Sequence, residues 1–132
     1  ILSLRGLQAG LEIAKVADLN MVRKKSQCLT QLFLELVEKR YGNYGVTLQS
    51  PNDPEKRGSQ VALHYANGFP VIQALIARKI IADFRAPGIM RFGFAPLYLR
   101  YTDVWDAAEA LHEVLKTEEW REERFQQKHQ VT

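Results

Sequence analysis

The sequence predicts an α+β fold, a small antiparallel or mixed sheet covered by helices. Three observations predict it. Apolar residues recur at helical spacing near both ends of the chain. Between them lie alternating runs, two before a compact helical segment and two after it. Consecutive strands of this kind favour antiparallel pairing, and helices long enough to cover one face complete a two-layer domain. At 132 residues, 46% hydrophobic and 25% charged, the chain fits one domain with a real core.

Leu4, Leu7, Leu11 and Ala14 place a first helix within 1–16, weakened by Gly6 and Gly10. Asp18 or Asn20 can cap a second helix. Val22, Leu29, Phe33, Leu36 and Val37 form its stripe to Arg40, Lys39 and Arg40 suit its C-terminal dipole, and Gly42 suits its cap. Cys28, beside Leu29, Leu32 and Phe33, is expected to be a small buried thiol. The Arg23-Lys24-Lys25 cluster reads as a solvated face.

Residues 46–49 form a short strand, and 50–58 a polar loop with Pro51 and Pro54. In 60–65, Val61, Leu63 and Tyr65 face one way, and Gln60, Ala62 and His64 the other. Asn67-Gly68 marks a turn before a compact helix over 69–78. Residues 80–101 read as a β-hairpin about Pro87-Gly88, with Gly88 free to take a positive φ. Thr102 is a plausible N-cap for the last long helix, with Asp103 in its first turn and Val104, Ala108, Leu111 and Leu115 on its inner face. Residues 118–132 form a charged tail, expected to be partly disordered, with Trp120 and Phe125 as anchors.

Within the hairpin, Met90, Phe92 and Phe94 share the core face, while Ile89, Arg91 and Gly93 share the other. Arg91 therefore projects from mid-strand with open space beside it at Gly93. A guanidinium so placed can grip a carboxylate through two parallel hydrogen bonds. The ordinary alternative is a solvated arginine on an exposed sheet face.

A net charge of +3 with interleaved signs, and no basic stripe with aromatics, argues against nucleic acid. No stretch reaches the length of a membrane span. A single cysteine allows no intrachain disulfide and suits a reducing, cytoplasmic setting. No signal peptide is evident, and the Ile-Leu-Ser-Leu start reads as that of a fragment or excised domain. His64, His112 and His129 are too widely spaced for a metal site. There is no phosphate loop, dinucleotide fingerprint or nucleophile elbow. The unusual residues are arginines: Arg57 before Gly58-Ser59-Gln60, Arg85 and Arg91. They look like parts that hold an anion whose chemistry happens elsewhere.

Arg57-Gly58-Ser59-Gln60-Val61-Ala62-Leu63, the run from Gly68 to Ala77, Asp83-Phe84-Arg85-Ala86-Pro87 and Arg91-Phe92-Gly93-Phe94-Ala95-Pro96-Leu97-Tyr98 resemble the C-terminal part of kynureninases, in order and spacing. The helix over 19–37 and Thr102 to Ala107 are similar too. The resemblance implies that residues 1–132 are the C-terminal small domain of an aspartate-aminotransferase-like (fold type I) enzyme. It implies a homodimer that uses pyridoxal 5′-phosphate, bound by a large domain outside this chain. The reaction would be hydrolysis of L-kynurenine, or 3-hydroxykynurenine, to anthranilate or its 3-hydroxy form and L-alanine, in tryptophan catabolism and NAD precursor synthesis. It implies that Arg91 binds the substrate α-carboxylate. Arg57, Gln60 and Arg85 would be supporting or interface residues. No catalytic, cofactor-binding or metal-binding residue is carried over to this chain. The competing expectation is a free α+β module that binds a small carboxylate or a protein partner without catalysis.

Overall fold

Two arrays of apolar side chains, one helical and one on a sheet, meet in a single core in the computed structural model. The structure describes residues 2–41 and 44–127. Helices α1 (Leu2–Val16) and α2 (Leu19–Tyr41) lead into strands β1 (Thr47–Leu48) and β2 (Gln60–His64). Helix α3 (Gly68–Ala77) precedes the hairpin of β3 (Asp83–Arg85) and β4 (Ile89–Gly93). Helix α4 (Tyr101–Thr117), a short 3-10 turn (Glu119–Arg121) and α5 (Glu123–Gln126) follow. The sheet is antiparallel with strand order β1-β2-β4-β3.

Register decides which side chains share a face. Val61 lies opposite Phe92 and Leu63 opposite Met90. All four are buried, and Phe94 extends their face. Phe33 of α2 is fully buried against it, its ring 4.9 Å from Phe92 and 5.0 Å from Phe94. Val71, Ile72 and Leu75 of α3 and Val104, Ala108, Leu111 and Leu115 of α4 complete the core. The opposite face carries Gln60, Ala62 and His64 on β2, Ile89, Arg91 and Gly93 on β4, and Asp83 and Arg85 on β3. None of these eight residues is fully buried.

Several local expectations change. Asp18 is the residue that caps α2, its Oδ1 accepting the N–H groups of Asn20 (2.8 Å) and Met21 (3.3 Å). Asn20 lies inside the helix. Thr102 is not the cap of α4. The helix begins earlier because Asp103 Oδ2 accepts the backbone N–H of Arg100 at 2.7 Å, while Oδ1 takes its guanidinium at 2.7 Å. Cys28 is exposed. The buried stripe of α2 runs through Ser26, Leu29, Thr30, Phe33, Leu36 and Val37, and a helix turns about 100° from Leu29 back to Cys28. Gly42 and the end of the tail lie outside the described residues, whereas Trp120 and Phe125 are buried.

Gly88 does not adopt a positive φ; among the described glycines only Gly45 does. Glycine is needed at 88 for close approach. A Cβ there would meet His64 Nε2 and the Tyr65 carbonyl oxygen, each at 2.8 Å. That carbonyl accepts the Gly68 N–H, and the Gly88 carbonyl accepts the Tyr65 N–H, both at 2.9 Å. The contact therefore locks the hairpin turn to the β2–α3 turn. Gly88→Ala should destabilise the protein by about 2 kcal/mol, an overpacking cost, read as a drop in Tm. An unchanged Tm would show that the turn yields freely.

Every described side chain of α1 from residue 3 to residue 16 is exposed. Leu4, Leu7 and Leu11 thus form an apolar stripe with no cover. A lone 15-residue helix containing two glycines is marginal in water.

Candidate arginine–carboxylate site

Arg91 stands at the middle of β4, paired in register with Ala62 of β2 on one side and Asp83 of β3 on the other. The alternation that buries Met90 and Phe92 sends Arg91 to the face away from the helices. Its Nε donates to Asp83 Oδ2 at 2.8 Å, and Nη2 pairs with the same oxygen. Arg85 Nε lies 3.3 Å from that oxygen as well. Asp83 is therefore held between two guanidinium groups. The three side chains carry two positive charges and one negative charge.

Pairing with Arg91 lowers the Asp83 pKa from its usual value, and the nearby Arg85 adds to the effect. A depressed carboxylate pKa contributes stability that is present above the unfolded value of about 3.9 and is lost as pH falls through the folded value. Asp83 is thus charged across the neutral range. Asp83→Asn should lower Tm at neutral pH, and the gap should close as the medium is acidified below about pH 4. A gap that persisted in stronger acid would mean that the carboxylate charge is not what Asp83 contributes.

Space beside Gly93, two residues along the strand from Arg91, is open as the spacing predicted. A Cβ at Gly93 would meet nothing within 4 Å. Gly93 also lines a groove of 410 Å³ with Ile80, Ile81, Tyr98 and Leu99. Among the described residues, Arg91 Nη1 has no hydrogen-bond partner.

The other predicted site residues divide. Arg85 joins Arg91 through Asp83. Gln60 is exposed on the same face, opposite Gly93, and touches neither arginine through a hydrogen bond. Arg57 lies elsewhere and is 2% exposed. Its Nη1 donates to the carbonyls of Pro51 (2.8 Å) and Asn52 (3.1 Å), and its Nη2 donates to Gln31 Oε1 (3.1 Å). Burial, then the neighbouring Arg23, pushes its pKa down.

Arg23 is not a solvated residue either. Its guanidinium donates to the carbonyls of Arg57 (2.7 Å), Pro54 (2.9 Å) and Glu55 (3.1 Å). Ser26 and Ser59 pair through their hydroxyls at 2.7 Å, and Gln27 reaches Glu55 at 2.8 Å. The polar loop over 50–58 is thus fastened along α2. Sequence reasoning missed these ties, because nothing local marks an arginine that will cap another segment's carbonyls. The contact between Asp83 and Arg91 is likewise absent from the sequence reading. The hairpin register, with three residues between Arg85 and Ile89, is the signal that places Asp83 opposite Arg91.

Among the described residues no group of three or more His, Cys, Asp or Glu is placed to hold a metal ion. No helix among them is long and apolar enough to cross a membrane.

Known proteins match this chain in sequence. The kynureninase from Pseudomonas fluorescens is 46% identical over all 132 residues, which correspond to 32% of that protein. Kynureninases from Burkholderia mallei (strain SAVP1) and Burkholderia pseudomallei (strain K96243) are each 43% identical over the same 132 residues, again 32% of their length. The chain therefore spans about a third of the curated relatives that it matches. The family model for the kynureninase C-terminal domain matches residues 22–111, which contain the sheet, most of its helical cover and the whole Asp83–Arg85–Arg91 cluster. On this match, the chain belongs to the kynureninase C-terminal domain family.

Proposed function

We propose that this chain is the C-terminal small domain of a fold-type I kynureninase and that Arg91 binds the α-carboxylate of the substrate. The complete enzyme would hydrolyse L-kynurenine or 3-hydroxykynurenine to anthranilate or 3-hydroxyanthranilate and L-alanine. The observation that carries this reading is the setting of Arg91. It stands mid-strand on the uncovered face of the sheet, beside the open space at Gly93, with Nη1 unpartnered among the described residues. A carboxylate meeting that guanidinium accepts two parallel hydrogen bonds. Binding in this way fixes the amino acid in one orientation, which lowers the entropic part of the barrier.

The residues described do not fit a pyridoxal phosphate site. Such a site needs a lysine amine facing a pocket, a carboxylate for the pyridine nitrogen and a cradle of donors for the phosphate. Lys15, Lys24, Lys39, Lys56, Lys79 and Lys116 are exposed, and the half-buried Lys25 lines an open groove together with Lys24, Cys28 and Tyr101. In this reading the residues that hold the cofactor belong to the large domain. This chain's contribution is to bind and orient the substrate.

The apolar stripe of α1 and the uncovered sheet face support docking against that large domain. A homodimer in the cytoplasm completes the reading. The test is to express the complete reading frame with pyridoxal phosphate, supply L-kynurenine and follow anthranilate fluorescence. Turnover by the complete protein, with none from residues 1–132 alone, is the expected result. No turnover and no bound cofactor would favour a carboxylate-binding module without catalysis.

A further inference from the structure

A guanidinium has two edges that can each hold a carboxylate: the lateral edge, Nε with Nη2, and the terminal edge, Nη1 with Nη2. In Arg91 the lateral edge is taken. Both Nε and Nη2 donate to Asp83 Oδ2, the former at 2.8 Å. Nη1 has no partner among the described residues, and the side chain keeps 30% of its exposure. Asp83 cannot drift far. It sits on the neighbouring strand directly opposite Arg91, and Arg85 Nε holds it from the other side at 3.3 Å. Both partners stand on ordered strands rather than on loops.

We propose that Asp83 is a positioning residue for substrate binding: it grips Arg91 by the lateral edge, so that the terminal edge is presented to the incoming carboxylate. The inference rests on the carboxylate-clamp reading of Arg91 and goes further by assigning the residue that aims the clamp. Two consequences follow from the charges. One positive charge of the Arg85–Asp83–Arg91 group is left uncompensated, so the group is neutralised by one monoanionic carboxylate. A long flexible arginine, tied along one edge, also loses less rotamer freedom when substrate binds than a free one would. Arg85 shares the work by keeping Asp83 from turning away.

The experiment uses the complete holoenzyme with L-kynurenine and four variants: Asp83→Asn, Asp83→Glu, Arg91→Ala and the double change Asp83→Asn with Arg91→Ala. Asp83→Asn should raise KM about tenfold or more, the scale of a charge-assisted hydrogen bond, with a smaller change in kcat. Asp83→Glu keeps the charge on a longer arm and should recover part of the loss. In the Arg91→Ala background, Asp83→Asn should cost nothing further, because there is no guanidinium left to aim. A residue that served only folding would exact the same cost in both backgrounds, and that outcome would overturn the inference. A KM that falls in Asp83→Asn would overturn it too, since Asp83 would then be a competitor that substrate must displace. So would kcat/KM within about twofold of the parent in both single Asp83 variants. Normal kinetics in Arg91→Ala would instead overturn the clamp reading itself, which keeps the two failures apart.

Discussion

Arg91→Ala in the complete enzyme is expected to lower kcat/KM for L-kynurenine by about 10²–10³-fold. Removing one partner of a hydrogen-bonded charge pair in a closed site costs about 3–4 kcal/mol, and each 1.4 kcal/mol is tenfold in rate. The loss should appear in KM, where the carboxylate is held in the ground state, and in kcat, where orientation matters. Arg91→Lys should recover little. An ammonium supplies the charge but not the planar fork, and it cannot keep Asp83 on one edge while binding substrate on another. The variant should fold, because Arg91 faces away from the core made by Met90 and Phe92. A parent-like melting curve alongside the kinetic loss would separate the site from the scaffold.

Phe33→Ala is expected to have the largest effect on stability. The ring is fully buried and meets Phe92 at 4.9 Å and Phe94 at 5.0 Å. Truncating a buried phenylalanine costs about 3–5 kcal/mol through lost transfer energy and the cavity left behind. Here the cost has a functional side. Phe92 follows Arg91 on β4 and Phe94 lies just past its end, so the α2 ring helps to hold β4 against the helices. The variant should melt well below the parent. Where it remains folded, its kcat/KM should fall although position 33 is remote from the substrate. Full activity in a folded Phe33→Ala enzyme would mean that the strand does not depend on this contact for its placement.

The sheet and its inner face were legible in the sequence because period-two alternation is a local signal. Val61 and Leu63, and Met90, Phe92 and Phe94, announce their strands within a few residues. The outward placement of Arg91 follows from the same alternation. What the sequence hid depends on segments far apart in the chain. Gly88 reads as a turn glycine, yet its reason is the Tyr65 carbonyl and His64 ring packed against it. Arg23 and Arg57 read as a surface charge and a candidate interface group, yet both guanidinium groups serve backbone carbonyls of the loop over 50–58. Cys28 differs for another reason. Its neighbours in sequence are apolar, but its angle on the helix turns it outward from the Leu29–Phe33 stripe. The first helix shows the limit of periodicity most plainly. Its apolar spacing is real, but Leu4, Leu7 and Leu11 face no element of this domain.

The most direct test of the carboxylate clamp compares two substrates in two enzymes. L-Kynurenine and its α-carboxamide would be titrated against the complete holoenzyme and against Arg91→Ala, with kcat/KM determined for each. The carboxamide keeps the aryl ketone and the amine but removes the charge that Arg91 is proposed to bind. The parent should prefer the carboxylate strongly, and Arg91→Ala should treat the two compounds alike, because the group that distinguishes them is gone. A preference that survived unchanged in Arg91→Ala would contradict the account, since another residue would then be holding the carboxylate.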